Sequence, residues 1–94
     1  MDVEALAQQI GAKELKFAGF RLIKVTNGEE ECVVVKKGTK QLVIKYDEGT
    51  DLYDLEMNGE KRDGVYWEDL KGIIERFFKF EYVMDRLRIV GVNA

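Results

Sequence analysis

With 94 residues, 46% apolar and 35% charged, the chain has the size and balance of one globular domain, residues 1–94, and is too hydrophobic to be disordered. A net charge of −3 gives no overall nucleic-acid signature, and the absence of histidine removes Ser-His-Asp and Cys-His catalysis, histidine-ligated zinc and haem. A single cysteine excludes an intramolecular disulfide, and no apolar run approaches the roughly 20 residues of a membrane span.

The first residues, Met1-Asp2-Val3-Glu4, are acidic and lack the basic and apolar regions of a secretory signal, so the expected location is the cytoplasm. Abundant Glu and Lys, sparse Asn, Gln and Cys, and no proline lean towards a thermophile. Val3, Leu6, Ala7 and Ile10 fall at helical spacing, with Asp2 as cap and Gly11 as stop. Residues 12–19 fit a helix extension, a lead into the sheet, or a loop.

Glycines 28, 38, 49 and 59 follow at nearly even spacing, each among turn-forming neighbours. Between them lie runs rich in Val, Ile, Leu and Tyr. The rhythm predicts an antiparallel meander with strands near 19–26, 31–37, 41–46 and 51–57. A fifth short piece at 61–65 has little support in the pattern. Alternation puts Leu42, Ile44 and Tyr46 on one face, and Tyr53, Leu55 and Met57 on one face. The first two strands are apolar on both faces. Their second face therefore needs a cover: the N-terminal helix, a curled sheet or another subunit.

The last element predicts an amphipathic helix from about Val65 to Met84, capped by Asp63, with a stripe of Trp67, Leu70, Ile73, Ile74, Phe77, Phe80 and Met84. Residues 86–90 alternate like a strand, and fit either a final edge strand or a continuation of the helix. The fold class expected is α+β: a helix, a four-stranded antiparallel β-meander, and a C-terminal amphipathic helix packed on the sheet. The expected core is Leu6, Ile10, Ile23, Val25, Val33, Val35, Leu42, Ile44, Tyr53, Leu55, Met57, Trp67, Leu70, Ile73, Ile74 and Phe77.

No catalytic motif or Gly-rich phosphate loop is present, and neither an enzyme nor a cofactor is expected. Cys32 sits in a strand beside Glu29, Glu30 and Glu31, which disfavour a thiolate, so it reads as a buried, inert thiol. Asp47, Asp51 and Asp54 are the nearest thing to a metal set, but their spacing does not match a twelve-residue calcium loop. A solvated hairpin tip is the plainer reading.

Arg21, Lys24, Lys36, Lys37, Lys40 and Lys45 form a basic stretch that suits phosphate, with Phe20, Tyr46, Tyr53, Tyr66 and Trp67 as stacking surfaces. Four strands followed by a helix is an order that resembles single-stranded-DNA-binding coactivators and Whirly-type proteins, a likeness of topology without a shared motif. The resemblance implies single-stranded nucleic acid as one partner. The net charge and the acidic hairpin that follows argue the other way. Phe77-Phe78-Lys79-Phe80-Glu81-Tyr82 is too rich in aromatics for one helix face, which makes Phe78 and Tyr82 the expected interface residues. The expected function is a non-catalytic interaction module that forms a homo-oligomer or binds a protein partner. Single-stranded nucleic-acid binding is the alternative.

Overall fold

The computed structural model describes residues 3–27 and 30–82. Two short helices, α1 (Val3–Gln9) and α2 (Ala12–Phe17), lead into five strands: β1 (Arg21–Asn27), β2 (Glu30–Lys37), β3 (Lys40–Asp47), β4 (Leu52–Met57) and β5 (Glu60–Val65). A 3₁₀ turn (Trp67–Asp69) then starts α3 (Leu70–Phe78). The strands form one antiparallel sheet in the order β1-β2-β3-β4-β5. The α+β meander expected from the glycine rhythm is therefore present, with five strands instead of four.

The turns explain the order. Asn58 and Gly59 both have positive φ, 49° and 93°, as a two-residue type I′ hairpin requires. This connection holds β5 beside β4, and Gln41 and Asn58 exchange hydrogen bonds beside it. A bulge lies between Tyr53 and Leu55 opposite Val65 and Arg62. The proposed Asn27-Gly28 turn, the Asp2 cap, Met84 and the strand-like residues 86–90 lie outside the described residues.

All three helices cover the same face of the sheet. Leu6 and Ile10 from the α1 region, Leu15 from α2, and Leu70, Ile73 and Ile74 from α3 share one buried cluster with Val33, Val35, Leu42, Ile44, Tyr53 and Leu55. Register decides what joins them. Leu22 pairs with Val35, and Lys24 with Val33, so β1 turns Leu22 and Lys24 to the helices. Ile23 and Val25, expected in the core, lie on the other face, and Val25 is 37% exposed. A shift of one residue in pairing reverses every side chain of a strand. With apolar residues on both faces of β1, the alternation alone does not choose between the two.

Trp67, also expected in the core, is 59% exposed. It precedes α3 in the 3₁₀ turn, ahead of the part of the stripe that packs on the sheet. Asp63 lies in β5 and does not cap the helix. The helix also stops earlier than the stripe suggests. Lys79 takes left-handed values (φ 54°, ψ 53°), and the Phe80 N–H donates to the Glu75 carbonyl oxygen. The break lets the following segment lay Phe80 and Tyr82 onto the core, which a continuous helix would not do.

Candidate functional site

The other face of the sheet is where the structure departs most from a closed domain. Its residues follow from the register. Ile23, Val34 and Val43 align across β1, β2 and β3, continuing to Glu56 on β4 and Lys61 on β5. Val25, Cys32 and Lys45 form the next row and meet Asp54. Arg21, Lys36 and Gln41 form the row on the other side. None of these side chains is buried, whereas Val33, Val35, Leu42 and Ile44 on the helix face have no exposure; Cys32, expected to be buried, is only partly so because the register turns it to this face. Among the described residues, no element packs over this open face.

The open face is divided. Its β1–β3 half carries Ile23, Val25, Cys32, Val34 and Val43, an unbroken apolar patch that reaches β1, an outer strand of the sheet among the described residues. Its β3–β5 half is charged, with a shallow depression of about 230 Å³ among Lys45, Asp54, Glu56, Lys61 and Asp63. A second groove, on the helix side beside β5, has about 490 Å³ lined by Met57, Arg62, Ile73, Arg76 and Phe77.

The basic residues do not form one surface. Adjacent strand positions face opposite ways, so Lys36 lies on the open face and Lys37 on the helix face. Arg21, Lys36 and Lys45 share the open face. Lys24, Lys37 and Lys40 lie on the other. Lys37 donates to the Ala18 carbonyl at 3.0 Å, its ammonium 4.7 Å from the centre of the Phe20 ring. Lys40 donates to the Phe77 carbonyl at 2.8 Å. Lys24 pairs with Glu4 of α1. These three lysines fasten the helical layer. The aromatics divide likewise: Phe20, Tyr46 and Tyr53 are on the helix face, and no strand aromatic lies on the open one. A base-stacking platform beside Arg21, Lys36 and Lys45 is therefore missing from the strands.

Each of the three aspartates has a hydrogen-bond partner of its own. Asp47 Oδ1 accepts from the Gly49 N–H at 3.0 Å, and Asp54 Oδ1 accepts from the Gly64 N–H at 3.3 Å. Asp51 accepts the Tyr46 hydroxyl. That hydrogen bond, with partial burial and the Asp51 charge, pushes Tyr46 up to about 12. Burial, followed by the charge of Asp51, also raises Tyr53. Among the described residues, no three His, Cys, Asp or Glu side chains converge to hold a metal.

Tyr82 is 4% exposed, and its hydroxyl donates to the Ile10 carbonyl at 2.7 Å. Phe78 is half-buried, with its ring edge-on to Phe20 at 5.0 Å. Both side chains are used inside the domain. Among the described residues, the large apolar side chains left exposed are Phe17, Val25, Tyr66 and Trp67. The signal that pointed to the open face in the sequence was the two-sided apolar character of β1 and β2. No helix among the described residues is long and apolar enough to cross a membrane. No family model matches the chain, nor does any curated protein or solved structure.

Proposed function

We propose that this domain is a non-catalytic interaction module that self-associates through the apolar patch of its open sheet face. The observation that carries this reading is the patch itself. Five adjacent apolar side chains lie on a face that the helices leave uncovered. Scattered surface hydrophobics need no explanation, but a contiguous group on one side of a sheet gains nothing for the monomer by staying in water.

The scale sets the strength of association. Three strands about 4.8 Å apart and four residues at about 3.3 Å give a patch of roughly 200 Å² per copy. Covering two such patches is worth about 10 kcal/mol before the cost of association, which takes about 4–15 kcal/mol. The expected complex is therefore reversible, with a dissociation constant in the micromolar range or weaker. Sedimentation equilibrium from about 1 μM to about 1 mM covers that range. Val25→Lys, at a position already exposed, lowers association while leaving the circular dichroism spectrum unchanged. A strict monomer at the highest concentration removes the proposal.

A further inference from the structure

The open face is apolar on its β1–β3 side and charged on its β4–β5 side, and this asymmetry limits how two copies can meet on it. Sheets stacked face to face lie about 10 Å apart, with their strands within about 30° of each other. A two-fold axis between them runs either across the strands or along them. An axis across the strands lays each strand on its own copy. β4 turns Asp54 and Glu56, and no base, to this face. Stacking β4 on β4 therefore sets carboxylates against carboxylates in every register that covers the patch. An axis along the central strand, β3, lays β2 on β4, and Val34 then covers Glu56. Taking a charge out of water against an apolar group is costly.

We infer that the second copy stacks on the first about an axis along β2, with the two sheets staggered. This geometry rests on the self-association proposed above. About this axis β2 lies on β2, and β1 lies on β3 of the other copy. Strand direction is kept, so residues of one row stay level. Val34 faces Val34, Cys32 faces Cys32, Ile23 faces Val43, and Val25 faces Lys45. All five residues of the patch are covered.

The stagger also sorts the charges. β4 and β5 of each copy extend past β1 of the other, on opposite sides, so Asp54, Glu56, Lys61 and Asp63 stay in water. Lys45 alone of the charged half enters the overlap. Its aliphatic stem lies on Val25, and Asp54 stands directly across from it on β4, at the rim. Lys36 faces Lys36 at the end of the β2 row, where a long side chain reaches water. The overlapping strands have seven or eight residues each, a footprint of roughly 14 Å by 23 Å. Even with side-chain relief, this falls short of the roughly 800 Å² per partner of stable complexes, as a reversible dimer requires.

Cys32 is the only cysteine of the chain and lies on β2, so it probes the axis without a substitution. The two thiols face each other across sheets about 10 Å apart, too far for a disulfide but within reach of a short bismaleimide. Cys32→Ser combined with Lys61→Cys moves the probe to β5. Its two copies stand six strand spacings apart, about 29 Å, although position 61 is more exposed than position 32. At a concentration where sedimentation equilibrium shows dimer, the bismaleimide links wild type into a covalent dimer and leaves the Lys61→Cys variant monomeric. Val25→Glu sets an acid against Lys45 of the other copy, and Val25→Lys sets a base there. At low salt Val25→Glu thus associates roughly tenfold more tightly than Val25→Lys, and added salt closes the gap. Association without linkage at Cys32, linkage of the Lys61→Cys variant, or equal affinities of the two Val25 variants each overturns the stagger while leaving self-association intact. A protein that never associates overturns both.

Discussion

Tyr82 offers the sharpest separation between a side chain of the fold and a side chain kept for a partner. Its hydroxyl donates to the Ile10 carbonyl at 2.7 Å, and its backbone N–H donates to Glu75 Oε2 at 3.1 Å. The ring contacts Phe80 edge-on at 5.0 Å and lies under the Lys71 ammonium at 4.9 Å. Tyr82→Phe removes only the hydroxyl and takes a buried partner from the Ile10 carbonyl, which costs about 1–2 kcal/mol. Tyr82→Ala also empties the ring's volume between the end of α1 and α3, at about 3–5 kcal/mol. A chain of 94 residues has about 5–14 kcal/mol of stability in total, so the alanine variant loses a large share of it. Urea unfolding at low protein concentration measures both as shifts in midpoint at constant slope. If both variants unfold with wild-type midpoints, and Tyr82→Ala instead lowers only the association constant, Tyr82 belongs to an interface and the packing argument is wrong.

Two further predictions use the same region and the acidic hairpin. Gly11 has φ +77°, and a Cβ there would sit 3.1 Å from the Tyr82 ring, so Gly11→Ala costs about 1–2 kcal/mol in backbone strain alone. In a Tyr82→Ala background the steric part disappears and only the strain remains, which a double-mutant cycle in urea resolves. Tyr46 ionises near pH 12 in the folded protein against an ordinary value of 10.0, so the unfolded chain releases this proton first. The contribution is fully present below pH 10 and is lost as pH rises towards 12; tyrosinate absorbance of wild type and Asp51→Asn checks it, the variant titrating closer to 10.

Much of the fold was legible because turn chemistry is local. Asn58-Gly59 can be read as a type I′ turn without knowledge of the rest, and Leu42, Ile44, Tyr53 and Leu55 alternate on strands whose other face is mostly polar, Val43 being an exception. β1 was harder because Ile23 and Val25 are as apolar as Phe20 and Leu22. Choosing between them needs the pairing Leu22–Val35, which is a long-range fact. The end of α3 was hidden for a different reason. Lys79 adopts a left-handed conformation that glycine normally marks, so the stripe ran on to Phe80 and Met84 with nothing to stop it. β5 was poorly visible because its residues 60–64 are all exposed, leaving no apolar period to detect.

The basic residues show why a run of charges in a strand is poor evidence for a surface. Lys36 and Lys37 are neighbours in sequence, yet the pleat separates them by the thickness of the sheet. Lys37 then spends its ammonium on the Ala18 carbonyl and the Phe20 ring, and Lys40 on the Phe77 carbonyl. What remains on the open face is Arg21, Lys36 and Lys45, with Asp54 directly across from Lys45 and Glu56 across from Val43. Three cations beside two carboxylates attract a polyanion far less than six in a row would. The same pleat concentrates the apolar residues, because Ile23, Val34 and Val43 fall in register on one side. Pairing thus disperses the charge signal of the sequence and assembles the hydrophobic one, and this favours a protein surface, a second copy of the chain, over a nucleic acid as the occupant of the open face.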